Sequence, residues 1–488
     1  MKPLLKTHAL EIRTADMQLV QPLSIALFPG EVLSIIGETG SGKSLFAQGV
    51  VGNLPAGLHA RGRVVFGSGF AEDGEGAGRQ ALWGREIAVL PQEPWLSLDP
   101  TMRAQAQVAE TYEYVVGTPR GQARTQAARD LDRLGMAHTQ DRYPFQLSGG
   151  MAQRLAFAAT HAGGARVMVA DEPTKGLDSA RIGEVISLLK AGLEDGGALL
   201  IITHDMDVAR RLGGKVMIML KGTIVESGLA DEVLNHPQHP YTRRLLNADP
   251  AHWPAPVPQR FSGEPVVRAR DLAVSRGGQT LFSHLDFEVR AGEIVGVTGP
   301  SGCGKSTLGD VILGLMDAQQ GRIERRPGTP RVAYQKLFQD PVAAFPPTVT
   351  LARTLNDLVK LHRLDPHRIG PLLTRLRLEP ALLNRLPGNV SGGELQRFSL
   401  LRVLLLDPVF IFADEPSSRL DLITQQEMLT LLVETAREQG TAVLLVSHDE
   451  ALIEAVSDQR IRLGAQANAP ACAIADASPR PSPAPLNV

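Results

Sequence analysis

The chain has 488 residues, 43% hydrophobic and 21% charged, the make-up of a soluble globular protein long enough for two or more domains, each able to bury a full core. Its formal net charge of −2 gives no general electrostatic pull toward nucleic acid and leaves only a local basic patch as a route to it. The two cysteines, Cys303 and Cys472, exclude a disulfide framework or a four-cysteine metal site and fit a reducing compartment.

The opening MKPLLKTHALEIRTAD has too short an apolar run for a signal peptide, and no later segment approaches the roughly 18 apolar residues of a membrane helix. A cytoplasmic protein is expected, serving any membrane process from the surface. VLSII at 32–36 reads as a buried strand that runs into GETGSGKS at 37–44 and then a helical segment. The pattern G-x-x-x-x-G-K-[ST] makes Gly37, Glu38, Thr39, Gly40, Ser41, Gly42, Lys43 and Ser44 a loop whose backbone N–H groups can wrap phosphates at a helix N-terminus. Lys43 reaches the β/γ-phosphates and the Ser44 hydroxyl ligates Mg²⁺. The Gly-rich stretch GSGFAEDGEGAG at 67–78 is expected to be an extra loop, since loops are where insertions are tolerated.

Gln92 follows in AVLPQEPWLSLDP, then Ser148, Gly149 and Gly150, where a serine alone would be a plain helix N-cap. VMVADE at 167–172 is an apolar strand ending in Asp171 and Glu172, two carboxylates that are costly there unless they meet a metal or a polar site. Asp171 is placed to hold Mg²⁺ through water, and Glu172 to polarise an attacking water. ALLIITH at 198–204 ends in His204, whose imidazole can bond a γ-phosphate and position the nucleophile. HPQHPYTRRLL at 236–246 closes this half.

The same order then returns. Gly299, Pro300, Ser301, Gly302, Cys303, Gly304, Lys305 and Ser306, followed by Thr307, repeat the phosphate loop 262 residues later. Ser391, Gly392 and Gly393 lie 243 residues after their counterparts, as do Asp414 and Glu415, and His448 lies 244 after His204. Most of the change falls between the loop and the shared glutamine, Gln339, so the second half lacks about 15 residues there. Leu308, Ile312 and Leu315 fall on one helical face. Apolar strands alternating with helices predict, in each half, an α/β domain with a mostly parallel core sheet. The expected organisation is a first domain over 1–247, an extended, semi-rigid Pro-rich linker over 248–264, a second domain over 265–463 and a disordered Ala/Pro-rich tail over 464–488.

Phosphate loop, glutamine, [LV]-S-G-G, D-E-P and histidine, in this order twice, resemble the nucleotide-binding domain of the ABC ATPase family, and the resemblance covers essentially residues 1–463. It implies tandem P-loop NTPase domains, each with an antiparallel β subdomain and a helical signature subdomain, that bind ATP and Mg²⁺ and pair within the chain. By the same resemblance, Ser148, Gly149 and Gly150 close on ATP held by the second P-loop, and Ser391, Gly392 and Gly393 on ATP held by the first. Gln92 and Gln339 match the glutamine loop that senses Mg²⁺ and water and touches the membrane partner. Asp178 and Asp421 match the family's D-loop. The chain departs from the family where an aromatic residue usually stacks on adenine: Thr14 and Arg276 stand there. A guanidinium can stack; a threonine cannot.

HPQHPYTRRLL and QEPWLSLDP are similar to segments in ATPases of oligopeptide, dipeptide and nickel importers. That resemblance implies an ATP-hydrolysing subunit that energises uptake of peptides, nickel or a related small solute, a peripheral protein on the cytoplasmic face of the bacterial inner membrane, working with two transmembrane permease subunits and an extracytoplasmic substrate-binding protein, with no nucleic acid as partner. Two other readings stand beside it: a soluble tandem ATPase acting on ribosomes or nucleic acid, and a protein of phosphonate breakdown associated with carbon–phosphorus lyase. The short, weakly charged linker and the lack of cysteine clusters speak against the first of these.

Overall fold

The computed structural model describes residues 2–464 except Glu75, Gln92, Lys175, Gly176, Asp178, Asp195, Pro258 and Ser301. The expected disordered tail therefore lies, from residue 465 on, outside the described residues. The chain divides into two compact units, Met1–Leu246 and Asn247–Val488.

In the first unit a six-stranded sheet runs, edge to edge, Thr223–Leu229, Lys215–Leu220, Val32–Ile36, Ala198–Thr203, Val167–Asp171 and Ile87–Leu90. Every neighbouring pair is parallel except the first. Its central strands are nearly continuous apolar runs because both faces are covered, and successive residues serve opposite cores. Leu33, Ile35, Val167, Val169, Leu200 and Ile202 pack with Phe46 and Val50 of the helix Lys43–Val51 and with Leu10, Ile12 and Val64 of an antiparallel sheet. Met168, Leu199 and Ile201 face Val185, Leu189 and Val208 on the other side. A helical subdomain has a third core, to which Arg120–Arg133 contributes Ala123, Ala127 and Leu131, one residue per turn on a single face.

The second unit repeats the layers: a fully parallel sheet in the order Tyr334–Leu337, Phe410–Asp414, Ala442–Val446, Ile294–Thr298, Gln459–Arg462, and a three-stranded antiparallel sheet. The expected α/β fold class, with antiparallel and helical additions in each half, is what the structure has.

Three local expectations need adjustment. Within 67–78, Ala71–Asp73 forms a strand paired with 63–65, because Gly69 adopts a left-handed turn (φ 99°) and the Phe66 N–H bonds the Phe70 carbonyl at 2.8 Å. This segment leads to the fully buried Arg79, whose guanidinium is paired with Glu72 and caps the P-loop helix by donating to the carbonyls of Gly49 and Val50. Arg325 caps the second P-loop helix in the same way, on the Ile312 carbonyl at 2.9 Å through Nε. Leu315 does not join Leu308 and Ile312: the helix stops at Ile312, Gly314 turns left-handed (φ 68°), and Leu315 is 67% exposed. Finally, 248–264, with Asn247 before it, falls within the second unit and part of it packs there. Trp253 packs on its core, the Arg437 guanidinium sits over the Phe261 ring, and Gln426 bonds the Asn247 carbonyl. Among the described residues no helix is long and apolar enough to cross a membrane.

Candidate functional site: two P-loop centres

Each P-loop joins a buried strand to a helix through a glycine that only a left-handed backbone satisfies: Gly42 (φ 102°) and Gly304 (φ 101°) occupy the N-cap positions. The N–H groups of the first helical turn have no intrahelical partners and point into the loop, a ready anion site. Lys43 Nζ donates to the carbonyls of Gly37 and Glu38, both at 2.7 Å, and to Ser41 Oγ at 3.3 Å. Lys305 Nζ donates to the carbonyls of Gly299 at 2.7 Å and Pro300 at 3.2 Å, and meets His448 Nδ1 at 3.4 Å. Gly37 is obligatory for packing, since a Cβ there would stand 2.2 Å from the Met219 carbonyl oxygen.

Strand order brings the remaining groups to these loops. The strand ending before His204 lies between the P-loop strand and the strand ending at Asp171, and the second unit repeats this around Ala442–Val446. Ser44 Oγ therefore donates to Asp171 Oδ1, and Ser306 Oγ to Asp414 Oδ1, both at 3.1 Å. Beyond the aspartates the backbone turns left-handed at Glu172 (φ 50°) and Glu415 (φ 46°), a conformation costing an L-residue about 1–2 kcal/mol. It is held by N–H bonds to the carbonyls of Ile202 (2.8 Å) and Val446 (3.1 Å). Glu172 Oε2 then meets His204 Nδ1 at 2.5 Å, and Glu415 Oε1 meets His448 Nε2 at 2.6 Å. In the second unit Gln339 Nε2 also donates to Glu415 Oε2 at 2.9 Å.

A cleft of about 310 Å³ at this second centre is lined by Arg276, Leu281, Lys305, Thr307, Glu415 and His448. Thr14 instead closes a hairpin turn, accepting the Met17 N–H at 3.0 Å. Cys303 is half-buried, and burial raises its thiol pKa above the usual value, so it is not activated as a thiolate. Gln92, Asp178 and Ser301 lie outside the described residues.

Ser148 and Ser391 cap the helices Gly149–His161 and Gly392–Leu404, each accepting an N–H three residues on, while Glu394 completes a capping box at Ser391. Both serines and the glycines that follow them directly are exposed, whereas Gly150 and Gly393 are half-covered. Asp421 caps Leu422–Gln439 by accepting the Thr424 N–H at 3.0 Å.

Lys336 was not singled out by sequence reasoning. Its ammonium pairs with Asp310 Oδ1 at 2.8 Å and stands 3.7 Å from Asp414 Oδ2. Burial pushes the Asp414 carboxyl above the usual range, against the pull of Ser306 and Lys336. Aligning the halves on their glutamines puts Val89 at the matching place, and a lysine inside a short buried-type strand was the available signal.

The left-handed glutamates invert an ordinary ranking. Glu172→Gly is expected to be more stable than Glu172→Ala by about 1 kcal/mol, because both lose the carboxylate and only glycine relieves the backbone. Urea unfolding of the two variants measures this, and alanine equal to or better than glycine would contradict the strain.

Residues 20–175 and 282–418 match the profile of the ABC transporter family, more than half of the chain. The chain is 33% identical over 482 residues to the peptidoglycan transport ATP-binding protein YejF of Agrobacterium fabrum, covering 91% of this chain and 87% of that protein. It is 34% identical over 507 residues to the glutathione import ATP-binding protein GsiA of Escherichia coli K12, covering 90% and 80%. Among solved structures, an RNase-L Inhibitor superposes with a TM-score of 0.62 at 19% identity, covering 93% of this chain and 88% of that one, a likeness of fold alone. With a family match in both halves and relatives alike over most of their length, the chain belongs to the ABC transporter ATP-binding family and is an ATP hydrolase with two P-loop domains.

Proposed function

We propose that the chain is the ATPase subunit of a bacterial importer, energising uptake of a peptide or peptide-like small solute through two separate permease subunits fed by a substrate-binding protein, from the cytoplasmic face of the membrane. The observation that carries this reading is a P-loop, Asp–Glu and histidine set present twice in one chain, whose relatives are named for peptidoglycan transport and glutathione import. The likeness to the RNase-L Inhibitor carries nothing beyond fold, so a ribosomal role gains no support from it.

The donor set at each P-loop fits Mg²⁺: one serine hydroxyl and one aspartate converge, hard oxygen ligands for an ion that takes its remaining ligands from water and phosphate. Bound there by Ser44 with Asp171, or Ser306 with Asp414, the ion would supply charge neutralisation. Lys43 and Lys305 keep the carbonyls of Gly37 and Gly299 and turn their other N–H donors to the phosphates, and the helix N-termini stabilise charge that develops on them. Glu172 and Glu415 orient water and accept its proton, each held in place by its histidine. Gln339, bonded to Glu415, links that centre to the glutamine loop. Ser148–Gly149–Gly150 and Ser391–Gly392–Gly393 complete the opposite sites when the domains close, and opening after hydrolysis drives alternating access in the permease.

A largely apolar groove of about 570 Å³ in the first unit supports the membrane partnership. Val51, Trp83, Val89 and Pro91 line it from the core and Val115 and Ala159 from the helical subdomain, directly before Gln92. Its proposed occupant is a short cytoplasmic helix of a permease subunit.

Glu172→Gln and Glu415→Gln, made singly, are expected to retain ATP binding while turnover falls to about half or less, since a general base is worth on the order of 10²-fold at its own site. Unchanged turnover in both would remove the assignment. Val89→Asp is expected to release the chain from membranes carrying its permease without changing ATP affinity. Undiminished membrane recovery would refute the groove as the docking place.

A further inference from the structure

ATP chemistry leaves the HPQHPYTRRLL segment without a role, yet the structure ties it to the first P-loop. Glu226 accepts the N–H groups of Gln238 at 2.7 Å and His239 at 3.1 Å, fixing the turn that enters the helix Pro240–Asn247. Pro240 begins that helix where no N–H is required. Tyr241 and Leu245, and Thr242 and Leu246, are all buried, so the helix is seated along one face.

The Tyr241 phenol oxygen accepts the N–H of Glu38 at 3.2 Å. That N–H belongs to the Gly37–Glu38 peptide, whose carbonyl oxygen accepts Lys43 Nζ at 2.7 Å. A peptide unit is planar, with N–H and C=O pointing opposite ways, so holding one end with the phenol orients the other toward the ammonium. The close approach of Gly37 to the Met219 carbonyl limits movement on the far side.

The second half supplies an internal control. The 262-residue offset sets Pro300 opposite Glu38. Proline has no N–H to donate and its ring fixes φ, while Lys305 still donates to the Gly299 carbonyl at 2.7 Å. Residues 265–488 contain no second HPxHPYT sequence. The half with an N–H at this P-loop position has the tyrosine that receives it, and the half with a proline there has neither.

We propose that Tyr241 is a positioning residue of the first ATP site: through the Gly37–Glu38 peptide it sets the orientation of Lys43, which makes segment 236–246 part of that site. The inference rests on the first P-loop binding ATP. In the full chain carrying Lys305→Ala, where the first P-loop is the competent one, Tyr241→Phe is expected to weaken equilibrium ATP binding about 2- to 10-fold, the loss of one neutral hydrogen bond. In the Lys43→Ala chain, Tyr241→Phe is expected to change binding by less than about 1.5-fold, and the thermal midpoint of both chains to stay the same. A Glu38→Pro change in the Lys305→Ala chain is expected to cancel the effect of Tyr241→Phe, a coupling that a merely structural role would not produce. Equal affinity with tyrosine and phenylalanine in the Lys305→Ala chain, or an equal loss in both chains, would overturn the proposal. If the Lys305→Ala chain with Tyr241 intact bound no ATP, the first P-loop assignment would fall, and the proposal with it.

Discussion

In each unit a glutamate in left-handed backbone is fastened twice to one neighbouring strand. Its N–H bonds the carbonyl of Ile202 or Val446, and its carboxylate meets the histidine just beyond the end of that strand. The histidine strand runs between the P-loop strand and the carboxylate strand. Parallel pairing at about 4.8 Å per step holds those two roughly 10 Å apart, and the helix starting at Lys43 or Lys305 spans the gap to bring its serine to the aspartate. Cores on both faces of the sheet fix that spacing, and the glutamate's strained backbone is tolerated because the surrounding structure determines it.

The two centres share this frame and differ in what surrounds it. In the first, the P-loop peptide after Gly37 is held from outside by Tyr241; in the second, a proline ring stiffens the same place. Lys336 and Asp310 stand beside the second aspartate, where the first half has Val89 and Gln48. The second aspartate thus has an ion pair beside it where the first has two neutral side chains. Arg276 reaches the second cleft, while Thr14 is spent on a turn. One chemistry is thus set in two environments.

Much of this was legible in the sequence because the informative signals are local. Glycine spacing marks the P-loops, apolar runs with abrupt carboxylate or histidine ends mark the strands, and their repetition marks the two domains. What escaped depends on contacts between distant residues or on backbone conformation. Nothing at Glu172 or Glu415 announces a left-handed φ, since the residue is not glycine. The strand within 67–78 was hidden by its glycines, which form the turn, and its purpose is Arg79, a charged residue that composition places outside. Leu315 fits a helical period that Gly314 interrupts. The Tyr241 contact spans 203 residues of sequence and could only be found in space.

The central claim is that one chain carries two ATP sites, each with its own P-loop, carboxylate pair and histidine. The most direct measurement is the number of ATP molecules bound at saturation by the full chain with both Glu172→Gln and Glu415→Gln, which prevents turnover from obscuring the count. The account predicts two per chain, falling to one when either Lys43→Ala or Lys305→Ala is added. A single ATP per chain in the double glutamine variant would contradict it.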